Sequence, residues 1–135
     1  MKIGFLNPQT GPLEADAPGF SWGVAQAIDD LNAMPGDVVF EAVEVNSGCD
    51  GTVGSTGAQT LVDSGVVAVV GAACSGASMG ANAILSAAGI PMISYASTNP
   101  SLSSDADYPL FYRIVPSDAI QGPAAADMMS EAGAT

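Results

Sequence analysis

The chain has 135 residues, 48% of them apolar, which suits one folded domain with a buried core. Fourteen acidic residues against two basic ones give a net charge of −12, so the chain lacks the basic patch that nucleic-acid binding needs. No apolar run approaches a membrane span. The first residues are also too short in their apolar part for a signal peptide, so we expect that the chain stays where it is made or that its leader lies outside this sequence.

Alternating strand and helix patterns run along the chain. Strands are predicted over residues 2–6, 38–45, 66–70, 90–94 and 110–115. Helices are predicted from Pro18 to the turn at 32–36, over 52–64, from Ser75 or Ser78 to Gly89, and over 119–129 with Ser117 or Asp118 as cap. This alternation predicts an α/β fold with a doubly wound parallel sheet in the order 2-1-3-4-5 and right-handed crossovers.

Catalytic and cofactor motifs are missing from the sequence. Without histidine there is no Ser-His-Asp or Cys-His arrangement, and the turn at Cys74-Ser75-Gly76 resembles a nucleophile elbow only superficially because it lacks a base. Dinucleotide-binding and P-loop motifs are absent, and the acidic residues Glu41 and Glu44 are expected to face solvent. We therefore predict no catalytic residue, no metal and no cofactor, and we keep a flavodoxin-like enzyme as a remote alternative.

Hydroxyl side chains follow the third and fourth predicted strands. Ser75 and Ser78 come after residues 66–70, and Ser97 and Thr98 come after residues 90–94. In an open parallel sheet, ligands bind at the carboxyl ends of the strands, where helix N–H groups face outward. Hydroxyls, free N–H groups and strand-end carbonyls together suit the carboxylate and the ammonium of an amino acid. The alternative, that these hydroxyls only cap helices, stays open at this point.

The two cysteines are Cys49 and Cys74. They are too few for a structural zinc site, and their spacing is not that of a redox Cys-x-x-Cys motif. Each follows a predicted strand, so both are expected at the same rim of the sheet, which favours a disulfide over two buried thiols. A disulfide would imply an oxidising compartment.

Four segments together resemble a known family. Residues 13–23, 69–78, 89–100 and 111–122 resemble the type I periplasmic binding proteins of the leucine/isoleucine/valine-binding group. The resemblance implies a protein that captures an amino acid between two α/β lobes and delivers it to the membrane subunits of an ABC importer. A periplasmic or extracellular location would follow. The ligand-sensing ectodomain of a receptor shares this fold and is the alternative function.

The resemblance also implies roles for individual residues. Ser75 and Thr98 would hold the ligand carboxylate through hydroxyl and backbone N–H, and the carbonyl of Ala96 would accept from the ammonium. The remaining predicted ligand-binding residues are Ala73 and Cys74, which would line the side-chain pocket, with Tyr95, Ser97 and Asp16. Cys49 and Cys74 match the family's disulfide pair.

One position departs from the family pattern. Asp16 stands where the family often has an aromatic wall, so a polar or basic ligand becomes possible. The resemblance further implies that residues 1–117 form the ligand-binding lobe and that residues 118–135 begin the crossover into a second lobe, the remainder of which is absent from the chain.

Overall fold

The computed structural model describes residues 1–133, in which five short parallel strands form one sheet. The strands are β1 (Lys2–Asn7), β2 (Glu41–Asn46), β3 (Ala68–Val70), β4 (Met92–Ser94) and β5 (Phe111–Arg113). Their order is β2-β1-β3-β4-β5, and every neighbouring pair is parallel. The predicted fold class and strand order are therefore confirmed.

Helices alternate with these strands. They are α1 (Ala17–Ala33), α2 (Gly51–Asp63), α3 (Ser75–Ala87) and α4 (Gln121–Glu131), with 3-10 turns at Glu14–Asp16, Pro100–Ser103 and Asp118–Ile120. Ser117 caps the last of these turns by accepting a hydrogen bond from the N–H of Ala119, as predicted, and α4 begins only after that turn. Within residues 1–133, no helix combines the length and the hydropathy that a membrane crossing needs.

The second strand begins later than its apolar sequence predicts. Val38 and Val39 are 49% and 72% exposed, and β2 starts at Glu41. The side chain of Asn32 explains the difference, because its Oδ1 accepts from the N–H of Phe40 and its Nδ2 donates to the carbonyl of Phe40. The two valines thus lie in a loop that this amide holds to the end of α1 instead of pairing with β1.

Helices α2 and α3 cover one face of the sheet. Leu61 from α2 and Leu85 from α3 are fully buried against Leu6, Val69 and Met92 of the strands. The two helices approach each other closely because they meet at glycines. A Cβ on Gly54 would lie 2.6 Å from the carbonyl oxygen of Ala77, and one on Gly80 would lie 2.1 Å from that of Gly51. This dense layer fixes the start of α3.

The opposite face of the sheet is only partly covered. An apolar cavity of about 570 Å³ lies between α1 and the sheet. Its lining includes Phe5 and Val70 of the strands, Phe20 and Ile28 of α1, and Tyr95. Further along the sheet, Ile93 and Tyr112 are 41% and 56% exposed. Helix α4 buries none of its residues, so it makes no part of the core of the described lobe.

Candidate functional site

The loops that follow β3 and β4 lie against each other. The N–H of Asn99 donates to Oγ of Ser75 at 3.2 Å, and Oγ of Ser97 lies 3.2 Å from the carbonyl oxygen of Ala73. Because β3 and β4 are parallel neighbours, both loops leave the same edge of the sheet. The structure thus brings Ser75 and Thr98, which precedes Asn99, into one continuous surface.

Ser75 and the start of α3 present hydrogen-bond donors. Since Oγ of Ser75 accepts from Asn99, its own hydroxyl hydrogen remains available to donate. The N-cap of α3 is Cys74, and no side chain in residues 1–133 caps the helix. The first N–H groups of an α-helix have no partner inside the helix, and the helix dipole places partial positive charge there. This point of the surface therefore attracts an anionic group.

The predicted capping role of Ser75 and Ser78 is wrong. Ser78 is fully buried, and its hydroxyl lies 3.2 Å from both the N and the O of Ala72 and 2.8 Å from Oγ of Ser97. A buried hydroxyl needs a hydrogen-bond partner, and Ser78 finds its partners inside the protein instead of at the helix end. The N–H groups at the start of α3 are left open as a result.

Thr98 presents both a donor and an acceptor. Its hydroxyl donates to the carboxylate of Asp118 at 2.8 Å, and the N–H of Asp118 donates back to the carbonyl of Thr98 at 2.9 Å. The single hydroxyl hydrogen is thereby used, while the lone pairs of Oγ1 stay free to accept. No described residue accepts from the N–H of Thr98. Thr98 can donate to an anion through its backbone and accept from a cation through its hydroxyl oxygen.

The other predicted ligand-binding residues occupy distinct places. Ala96 is exposed, and no described residue donates to its carbonyl. Ala73 is buried, and Cys74 is half-buried beside it. Ser97 is fully buried, with its hydroxyl directed at Ser78 and at the carbonyls of Ala72 and Ala73, so it supports the loop from beneath. Asp16 is exposed in the 3-10 turn before α1.

Tyr95 points away from the loop surface, into the cavity beside α1. Its ring centroid lies 4.9 Å from that of Phe20 and 6.2 Å from that of Phe5. Burial raises the pKa of the Tyr95 phenol, and the negative charge of Glu44 adds to the effect. The ring anchors the loop after β4 to the face of the sheet. Because the cavity is apolar almost throughout, it offers no partners for a charged ligand group.

A disulfide joins Cys49 and Cys74, with their Cα atoms 5.0 Å apart. The predicted pairing is confirmed. Cys49 follows β2 and Cys74 precedes α3, so the bond ties the loop after β2 to the loop that carries Ser75. The cross-link holds the open start of α3 in place.

A second polar cluster lies at the carboxyl ends of β1 and β2. Oε1 of Glu44 lies 2.7 Å from Nδ2 of Asn7, 2.9 Å from Nε2 of Gln9 and 2.9 Å from Oγ of Ser21. Burial pushes the pKa of Glu44 upward, but these three hydrogen bonds outweigh it, and the pKa lies below its ordinary value. The expectation that Glu44 simply faces solvent is thus incomplete, since its carboxylate holds α1 to the sheet.

Comparison with known proteins identifies the family. The family model described as the receptor family ligand binding region matches residues 23–133. The chain belongs to this family. It is 31% identical over 133 residues to a leucine-, isoleucine-, valine-, threonine- and alanine-binding protein of Pseudomonas aeruginosa, covering 97% of the chain and 35% of that protein. It is also 33% identical over 115 residues to glutamate receptor 3.4 of Arabidopsis thaliana, covering 82% of the chain and 12% of the receptor.

Solved structures place the chain with the solute-binding members of the receptor ligand-binding family. The isoleucine complex of a branched-chain amino acid transporter substrate-binding protein from Streptococcus pneumoniae matches with a TM-score of 0.78 and 32% identity, covering 87% of this chain and 34% of that one. The resemblance to the leucine/isoleucine/valine-binding group of type I periplasmic binding proteins is therefore confirmed. The chain spans about a third of the length of these solute-binding relatives.

The sequence did not predict two residues that contact the loop after β4, Asp118 and Arg113. Both lie in or just after β5, the neighbour of β4, so the rule that drew attention to the ends of β3 and β4 extends to them. Within residues 1–133, no three side chains of the kinds that bind metals are grouped as a metal site requires. The family consists of binding proteins and receptor ligand-binding regions, and the surface built here offers hydrogen-bond donors and acceptors suited to recognition.

Proposed function

We propose that the chain is the ligand-binding lobe of an extracytoplasmic solute-binding protein that recognises a free α-amino acid for import by an ABC-type transporter. The observation that carries the proposal is the pairing of unfilled donors and acceptors at the ends of β3 and β4. Donors without a partner lie at Ser75, at the start of α3 and at the N–H of Thr98, and acceptors lie within the same loop.

The donors suit a carboxylate. In the proposed complex, the Ser75 hydroxyl, the N–H groups that begin α3 and the N–H of Thr98 donate to the two carboxylate oxygens. Such charge-assisted bonds are shorter and stronger than neutral ones. The Ser75 hydroxyl can take this part without breaking a contact of the free protein, because its bond from Asn99 uses only a lone pair.

The acceptors suit an ammonium. The free carbonyl of Ala96 and the hydroxyl oxygen of Thr98 would accept from the ligand's ammonium. Asp118 sharpens this part of the site in two ways. Its carboxylate accepts the Thr98 hydroxyl hydrogen so that the lone pairs of Oγ1 stay free to accept, and it adds a negative charge beside them. The family resemblance implied that the Thr98 hydroxyl and N–H both hold the carboxylate. In this proposal the N–H keeps that role, and the hydroxyl contacts the ammonium because its hydrogen is used by Asp118.

The remaining predicted residues complete the proposal. Ala73 and Cys74 would contact the ligand side chain, and Asp16 would favour a polar or basic one. Ser97 and Tyr95 would position the loop after β4 from beneath. Residues 1–117 would form this lobe, and residues 118–135 would begin the crossover to a second lobe that closes over the ligand. Of that crossover, residues 134 and 135 lie outside the described residues. A periplasmic or extracellular location accords with the disulfide.

A ligand-sensing receptor ectodomain is the second candidate. It is favoured by the family model, which describes receptor ligand-binding regions, and by the similarity to a plant glutamate receptor. The two candidates share the same ligand chemistry and differ in what the rest of the polypeptide does. A membrane-spanning channel or signalling segment in the same polypeptide would support the receptor, whereas a secreted protein that stimulates ATP-dependent uptake would support the transporter.

Isothermal titration calorimetry of the full-length protein tests the ligand class. The panel comprises free leucine, isoleucine, valine, alanine, serine, glutamate and lysine, each with its primary amide and its N-acetyl derivative, together with a sugar and a nucleotide. We expect at least one free amino acid to bind, and its two derivatives to bind about 10-fold or more weakly, because each removes a charged partner. Binding of the sugar or the nucleotide with no response to any amino acid would contradict the proposal.

A further inference from the structure

Arg113 holds the carbonyls of the two residues that flank Thr98. From its place at the end of β5, its Nη1 donates to the carbonyl of Ser97 at 3.2 Å and to the carbonyl of Asn99 at 3.0 Å, and its Nη2 donates to Oγ of Ser103. One side chain therefore fixes the residue before Thr98, the residue after it and the 3-10 turn that follows. The backbone of Thr98 is held between two anchored carbonyls.

The charge of Arg113 is unusual in this protein. The sequence contains two basic side chains against fourteen acidic ones. The other, Lys2, lies at the amino end of β1, where its Nζ is 3.9 Å from Glu41. No carboxylate in the described part of the chain forms an ion pair with Arg113. Its charge is directed at backbone carbonyls, and it is the one basic side chain of the chain near the ends of β3 and β4.

The contact with Ser97 acts on the proposed carboxylate donor. The carbonyl of Ser97 and the N–H of Thr98 belong to the same peptide group. A cation bonded to the oxygen of a peptide group draws electron density towards that oxygen, and hydrogen bonds in such a chain polarise one another. The N–H of Thr98 thus becomes a stronger donor towards an anion, and the positive charge lies behind it.

We propose that Arg113 is a positioning residue for recognition of the ligand carboxylate, a role that rests on the proposed function. It contacts no ligand atom. It aims the N–H of Thr98 and strengthens that N–H as a donor, and it supplies positive charge that the strongly acidic chain otherwise lacks at this edge. Arg113 should therefore matter for a ligand that carries a free carboxylate and matter much less for the same ligand without that charge.

The test compares each acid with its own amide. The full-length wild type, Arg113→Met and Arg113→Lys are titrated with the amino acid of the panel that the wild type binds most tightly and with its primary amide. The decisive quantity is the ratio of the two affinities, because a merely structural defect weakens both ligands alike. We expect Arg113→Met to lower the affinity for the acid about 10-fold and the affinity for the amide less than about 2-fold. Arg113→Lys keeps the charge but not the forked geometry, so its ratio of acid to amide affinity should lie between those of the wild type and Arg113→Met.

Lys2→Met is the matched control. It removes the same charge at the amino ends of the strands, far from the proposed site, so we expect the ratio of acid to amide affinity to stay at the wild-type value. If Arg113→Met does not fold, the ratio in Arg113→Lys decides, with a smaller fall expected. Equal weakening of acid and amide, or an unchanged ratio in the variants that fold, would overturn the assignment of Arg113 and leave the proposed function intact. A wild type that binds no amino acid would overturn both.

Discussion

Two polar clusters lie at the carboxyl ends of the strands, and they differ in whether their hydrogen-bond donors have partners within the chain. At the ends of β1 and β2, Oε1 of Glu44 accepts hydrogen bonds from Asn7, Gln9 and Ser21, so these donors are bonded within the chain. At the ends of β3 and β4, the start of α3 and the N–H of Thr98 find no acceptor among the described residues. Donors without a partner at the carboxyl ends of the strands are available to an outside acceptor. The first cluster therefore holds α1 to the sheet, and the second is the proposed ligand site.

Breaking the link between the clusters should have the largest effect. Replacing Cys49 and Cys74 by serine removes the bond between the loop after β2 and the loop before α3, which are 25 residues apart in sequence. We expect the free energy of unfolding to fall by about 3 kcal/mol, because the cross-link no longer restricts the unfolded chain. Urea denaturation of the double variant and the oxidised wild type measures this. Equal midpoints would show that the disulfide contributes nothing to stability.

Ser75→Ala should separate binding from stability. The hydroxyl is free to donate in the unbound protein, so its loss should reduce affinity for an amino acid about 10- to 100-fold, the usual range for a hydrogen bond to a charged group. The melting temperature should hardly change, since the variant loses only an acceptor for the N–H of Asn99. Calorimetric titration and thermal melting measure the two quantities. An unaltered affinity would remove Ser75 from the site.

Ser97→Ala should affect both quantities. Its hydroxyl is fully buried and lies 2.8 Å from that of Ser78. Removing it leaves buried partners unsatisfied, which costs about 1–3 kcal/mol of stability. The loop that carries Thr98 should loosen, so affinity should fall as well. Urea denaturation combined with titration distinguishes this variant from Ser75→Ala, and a loss of affinity without loss of stability would mean that Ser97 contacts the ligand directly.

Glu44→Gln should change stability in a pH-dependent way and leave binding unchanged. The folded-state pKa of Glu44 lies below the unfolded-state value, so its contribution is present above the unfolded pKa and disappears as pH falls through the folded pKa. Stability measured from about pH 7 to about pH 3 should therefore fall less steeply in the variant than in the wild type.

Glu41→Gln is the control for this comparison, because Glu41 lies in the same strand with an exposed side chain that meets only Lys2, at 3.9 Å. Identical pH profiles for wild type and Glu44→Gln would contradict the account of Glu44.

The sequence predicts the sheet because alternating strands and helices with right-handed crossovers leave little freedom in strand order. It also places Ser75 and Thr98 just after neighbouring strands for the same reason. It fails where a residue's partners are distant in the chain. Serine often caps helices, but the Ser78 side chain is buried and forms a hydrogen bond with Ser97, nineteen positions away. Asn32 holds Phe40, so three apolar residues, Val38, Val39 and Phe40, lie outside β2. Local rules describe neither contact.

Arg113 and Asp118 were missed for a related reason. Arg113 lies in β5 and Asp118 in the turn after it. Both contact the loop after β4, with partners 14 to 20 positions earlier in the chain. Their roles appear only once hydrogen bonds can be traced from the ligand-facing groups to the residues that orient them. The pKa of Glu44 depends in the same way on three side chains from two other parts of the chain.

Amide chemical shifts test the central claim most directly. In a ¹H–¹⁵N correlation spectrum of the full-length protein, titration with the amino acid that binds most tightly should shift the N–H signals of Ser75, Gly76 and Thr98 first and furthest. The signals of Asn7 and Gln9, whose side chains donate to Glu44, should move little. Shifts centred on Asn7 and Gln9, or on the apolar cavity beside α1, with Ser75 and Thr98 unmoved, would contradict the claim that the ends of β3 and β4 form the binding site.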